Sequence, residues 1–105
     1  MARRTHPGPG GTMAVAVVQV RLLVPGCRSL KDKRSVVRGL VERARLRFHA
    51  SVAEVGGLDL LQRSEIGAAL VSNDPRHAAA EAEALVAYLA GCPDVQMADR
   101  QIEIL

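Results

Sequence analysis

AVAVVQVRLLVPGCRSLKDKRSVVRGLVERARLRF, residues 14–48, holds the change of period on which the fold turns. From Ala14 to Val24 the pattern has period two. Ala16, Val18, Val20, Leu22 and Val24 share one face, while Gln19 and Arg21 mark the other. Pro25-Gly26 ends this strand. Ser29 then stands three residues before Asp32, a weak form of the helix-start signature. From there the pattern takes the helical period. At about 100° per residue, Leu30, Val37, Leu40, Val41, Ala44 and Phe48 fall on one stripe, which predicts a helix from Ser29 to about Phe48. Gly39 costs that helix about 1 kcal/mol.

The rest of the chain repeats the alternation. Ala50 to Val55 reads as a short second strand, and Gly56-Gly57 opens a connection to about Gln62. Arg63 to Ser72 is a third strand, with Ile66, Ala68 and Leu70 on one face. Asp74 suits the cap of a second helix and Pro75 its first position. Ala78, Ala82, Leu85, Val86 and Leu89 form its buried stripe. Gly91-Cys92-Pro93 stops it, and Val95 to Leu105 is the last strand, with Ile102 and Ile104 on one face. The order βαββαβ, with right-handed crossovers, predicts an α+β ferredoxin-like sandwich. Its four-stranded antiparallel sheet has order 4-1-3-2, with two helices on one face. Residues 1–12, rich in Gly and Pro, read as a disordered tail. Residues 13–105 read as the single domain.

A chain of 105 residues is long enough to bury one core without staples. Phe48 and Tyr88 are the only aromatics, so Val, Leu, Ile and Ala must fill that core. Cys27 and Cys92 form no CxxC and no Cys/His cluster, which argues against zinc. They read as free thiols in a reducing, cytoplasmic setting. No apolar run approaches the roughly 18 residues that span a bilayer, and the first residues lack the apolar segment of a signal peptide. No membrane partner, metal or cofactor is expected.

The net charge of +3 conceals an asymmetry. Residues 28–47 hold eight bases against Asp32 and Glu42, a net +6, which leaves −3 for the rest. Such a distribution suits an acidic partner on one surface. Two candidate sites follow. In the loop before the first helix, Gly26, Arg28, Ser29 and Lys31 surround a helix N-terminus suited to an anion; a capped turn with a solvated arginine uses the same residues. Along the helix, Lys31, Arg34, Arg38 and Arg45 fall within about 60° of one another. They form a stripe suited to a nucleic-acid backbone, which Glu42 partly neutralises; a solvated basic face would look the same. The open sheet face is expected to carry Gln19, Arg21, Glu54, Glu65, Gln101 and Glu103, with no aromatic for base stacking. For catalysis, His49 and His77 stand at helix ends without a motif partner. Capping explains Asn73 and Asp74, and no enzyme is expected.

Residues 25–37, Pro25-Gly26-Cys27-Arg28-Ser29-Leu30-Lys31-Asp32-Lys33-Arg34-Ser35-Val36-Val37, resemble the YlxP-like family of bacterial proteins of unknown function. Ser51-Val52-Ala53-Glu54-Val55, Asp59-Leu60-Leu61-Gln62-Arg63 and Val71-Ser72-Asn73-Asp74 followed by Arg76-His77 agree in the same order. The chain departs at Leu61, where the family has Trp, at Ser64, where it has Ala, and in the extension 1–12. The resemblance implies the ferredoxin-like fold, no established activity, and gene neighbours in translation and ribosome maturation. Two classes of function remain open. One is an RNA- or ribosome-binding (rRNA) module using the first helix. The other is a protein-interaction or small-ligand regulatory domain, a homodimer through its open sheet face.

Overall fold

The computed structural model describes residues 11–105. The tail expected for residues 1–12 therefore lies, for residues 1–10, outside the described residues. Six elements follow in the expected order: β1 (Ala14–Leu23), α1 (Leu30–Phe48), β2 (Ser51–Gly56), β3 (Arg63–Ser72), α2 (Pro75–Ala90) and β4 (Gln96–Ile104). The strands form one antiparallel sheet in the order β2-β3-β1-β4, which read from its other edge is 4-1-3-2. β1 is central, pairing with β3 along its whole length and with β4 on the other side. β2 and β4 are the edges.

The alternation of β1 separates the two faces. Ala14, Ala16, Val18, Val20 and Leu22 are buried, whereas Val17, Gln19 and Leu23 are exposed. Both helices cover the buried face. α1 contributes Val37, Leu40, Val41 and Ala44, and α2 contributes Ala78, Ala82, Leu85, Val86 and Leu89, the stripes that the 3.6-residue period predicts. The caps are local. Asp32 N–H donates to Ser29 Oγ at 3.1 Å, and Arg76 N–H donates to Asp74 Oδ1 at 2.9 Å, with Pro75 opening the helix. His49 is the C-cap of α1 in the left-handed conformation, φ 48°, a structural use for a residue weighed above as catalytic.

The aromatics meet where the helices meet. Phe48 and Tyr88 pack edge to face at 5.6 Å, and the Arg47 guanidinium lies over both rings. Leu40, 1% exposed, sits in the middle of the core. Leu40→Ala is expected to lower unfolding free energy by about 2–5 kcal/mol in a denaturant titration; a loss under about 0.5 kcal/mol would contradict this packing.

One side-chain assignment is corrected. Glu54 was expected on the open face; instead it follows Val52 onto the helix face, because residues two apart on a strand share a side. The cause is a partner the strand pattern does not contain, the buried Lys33 ammonium. No helix among the described residues is long and apolar enough to cross a membrane.

Candidate nucleic-acid interface

α1 lies beside the sheet edge formed by β2, and the seam between them is a groove of about 420 Å³. Its floor is apolar, from Val37 and Val41 of α1, Ala53 of β2, and Leu58 of the following loop. Arg34, Arg38 and Arg45 stand along the helix side, so three of the four stripe residues come together. The reason is angular: the core stripe turns toward the sheet, and the flank one step around it must overlook β2. Lys31 continues the same flank but does not line the groove. The other basic residues of α1, Arg43 and Arg47, belong to the opposite flank; Arg47 is taken up by the aromatic pair.

The three arginines differ in freedom. Arg45 donates from Nε to the Val52 carbonyl at 2.9 Å, pinning its stem against β2 while its terminal nitrogens keep their donor capacity. Arg34 Nη2 lies 3.9 Å from Asp59 Oδ1, with both side chains largely exposed, a pair too loose and wet to hold either group. Arg38 has no ion-pair partner among the described residues. Glu42 and Asp59 stand in the same groove and offset part of the positive charge.

The third carboxylate of the groove, Glu54, is already committed. Lys33, 0% exposed, donates from Nζ to Glu54 Oε2 at 2.5 Å and to the Gly57 carbonyl at 2.7 Å. Ser64 Oγ donates to the same carboxylate oxygen at 2.6 Å. Ser64 thus supplies Glu54 with an additional donor. Gly57 has φ +71°, and a Cβ there would stand 3.0 Å from the Arg63 carbonyl, so the turn that aims its own carbonyl at Lys33 requires glycine. Counting residues by charge missed this network. A signal existed: Lys33 is four residues before Val37 and seven before Leu40, which puts it on the buried stripe. A basic residue on an apolar stripe asks for a buried acceptor.

The loop before α1 is a separate place. Ser29 is used as the cap, and Gln62 Nε2 donates to the Pro25 and Cys27 carbonyls. The hollow beside Gly26 is lined by Asp32 and Asp94, so an anion entering there meets two carboxylates. Arg28 is exposed and lines neither the groove nor that hollow. The sequence-level site therefore divides: Arg34, Arg38 and Arg45 share the groove, Lys31 extends it, and Gly26, Arg28 and Ser29 lie apart from it.

Elsewhere the chemistry is sparse. Cys27 is buried, Cys92 is half-buried with Sγ 3.3 Å from the Tyr88 carbonyl, and both are free thiols. Across the open face Arg21 stands opposite Glu65 on β3 and Asp99 on β4, and its Nε is buried without a partner among the described residues.

The comparison with known families agrees with the sequence reading. The family described as "Protein of unknown function (DUF503)" matches residues 15–102. The chain is also similar to a Bacillus subtilis (strain 168) protein described as "Uncharacterized protein YlxP". The two are 26% identical over 82 residues, 78% of this chain and 89% of the relative.

Proposed function

We propose that this chain, which belongs to the DUF503 family of proteins of unknown function, is a binding protein that holds structured RNA, on the ribosome or free, along the basic flank of α1. The observation that carries the reading is the convergence of Arg34, Arg38 and Arg45 on one groove in which one of the three lining carboxylates, Glu54, is neutralised by Lys33. Guanidinium groups suit this task because each offers several donors in a planar fork matched to phosphate oxygens. Arg45 is held in place by Val52, so it loses little freedom on binding. Lys31 lengthens the track toward the N-terminal end of the helix. The contacts would go to phosphates, which give affinity and position rather than sequence preference. No step of this role needs a catalytic residue or a cofactor, and it belongs in the cytoplasm.

The test is binding of a fluorescent RNA hairpin, and of ribosomal subunits, across a salt series. Four phosphate contacts give a log–log slope of about −3. Absence of salt-sensitive binding at micromolar protein would overturn the reading. A second reading has its own observation. The open sheet face holds an apolar depression of about 450 Å³ lined by Val17, Ala53, Val55, Gly67 and Ala69, with Val71 67% exposed beside it. That surface favours a protein partner, and such binding would be nearly indifferent to salt.

A further inference from the structure

The two edges of the sheet are treated differently. β2 is short, with 6 residues. Its ladder is bulged between Glu54 and Gly56, and Arg45 caps its outward Val52 carbonyl. These devices stop a strand from adding to it. β4 has 9 residues and carries no proline or lysine; its own bulge skips Ala98, between Met97 and Asp99, and leaves the stretch from Asp99 to Ile104 regular. Leu105 and Val15 exchange both backbone hydrogen bonds, at 3.1 and 2.8 Å. Following the register from there, Glu103, Gln101 and Asp99 also face β1, while Ile104, Ile102 and Arg100 turn their backbone groups outward. Of these, the Arg100 N–H is met by Asp99 Oδ1 at 2.8 Å. The N–H and C=O of Ile102 and Ile104, and the C=O of Arg100, have no partner among the described residues.

We infer that a second copy of this chain adds to this edge, β4 against β4 about a two-fold axis at Ile102, forming one eight-stranded antiparallel sheet. Charge excludes three of the registers open to the regular stretch of β4, and Ile102 is the axis central to the outward backbone groups that remains. Antiparallel partners must point to the same face, so the axis moves in whole-residue steps. An axis at Arg100 opposes Arg100 to itself. An axis at Gln101 opposes Asp99 to Glu103, and one at Glu103 opposes Glu103 to itself. Centred at Ile102, no like charges stand opposite: Ile102 meets Ile102, Arg100 meets Ile104, and Gln101 meets Glu103. The outward backbone groups then pair with one another, Ile102 with its own copy and Ile104 N–H with the Arg100 carbonyl. Above the edge, Glu83 of α2 accepts from Arg100 Nη2 at 2.7 Å, which places this flank of α2 over β4. The residues around Glu83 are Ala79, Ala80 and Ala87, short enough to let two copies of α2 approach. The inference rests on the edge alone and stands whether or not α1 binds RNA.

The full chain is tested in two ways. Ile102→Cys places two thiols opposite each other at a Cα separation of about 5.5 Å, within disulfide range. Under oxidised glutathione this variant should cross-link as a dimer, whereas the wild type, with Cys27 buried and Cys92 half-buried, should not. Gln101 and Glu103 are exposed on the other face, so changing Gln101 does not disturb the core. Gln101→Lys creates two opposite-charge pairs across the axis and Gln101→Glu two like-charge pairs. Sedimentation equilibrium should rank the dimers Lys, Gln, Glu, with the extremes about tenfold apart in Kd. A wild type that stays monomeric to hundreds of micromolar, with no Ile102→Cys cross-link, overturns the inference. So does a dimer that Val71→Glu abolishes while the Gln101 variants leave it unchanged, because such a dimer forms through the open face.

Discussion

Glu54→Ala is expected to cost about 3–5 kcal/mol of unfolding free energy, because it strands a buried ammonium. Lys33 is 0% exposed and keeps only the Gly57 carbonyl once the carboxylate is gone. Ser64 loses its acceptor as well. A domain of this kind has about 5–15 kcal/mol in total, so the variant should be partly unfolded near body temperature. The asymmetry is diagnostic. Replacing both charges together, Lys33→Met with Glu54→Leu, leaves no unpaired group and should be close to neutral or even stabilising, since an apolar pair avoids the cost of dehydrating two ions. Urea titrations of the single and double variants measure both quantities. If Glu54→Ala costs no more than a surface substitution, about 0.5 kcal/mol, the pair is not a buried one. The groove floor would then carry a free negative charge, and the RNA reading would weaken with it.

Reversing two charges at the groove, Arg34→Glu with Arg38→Glu, is expected to reduce RNA affinity by at least a hundredfold. A unit pair at 4 Å is worth about 1 kcal/mol in bulk water, and a reversal loses that attraction and gains a similar repulsion. Two reversals therefore cost about 3–4 kcal/mol after some screening by salt. The salt slope should fall from about −3 to about −1.5, because two of four contacts are gone. Both residues are exposed, and Arg34 gives up only the loose contact to Asp59, so the melting temperature should barely move. Arg43 and Arg47 on the other flank provide the comparison: Arg43→Glu should change affinity much less. Equal losses from either flank would indicate diffuse attraction to a basic protein rather than a groove. Unchanged association in the folded double variant would direct attention to the open sheet face.

What local pattern can carry, the sequence carried. The two-residue alternation of β1, the 3.6-residue stripes of α1 and α2, the Ser29 and Asp74 caps and Pro75 are all satisfied within a few residues, and a chain of that order has few right-handed arrangements. The basic flank was legible for the same reason, since rotation about one helix axis places Arg34, Arg38 and Arg45 together. What a charge meets across the molecule is another matter. Glu54 is 21 residues from Lys33 and joins it only because β2 packs beside α1. Strand period put Glu54 on the side of Val52, but a carboxylate there makes sense only once the buried Lys33 ammonium is in place. Neither the use of Arg45 to cap Val52 nor the contrast between a guarded β2 edge and an open β4 edge exists until strands have neighbours. Propensity and period are properties of consecutive residues, whereas ion pairing, desolvation and edge exposure depend on which distant surfaces meet, and for this protein only the tertiary structure decided those.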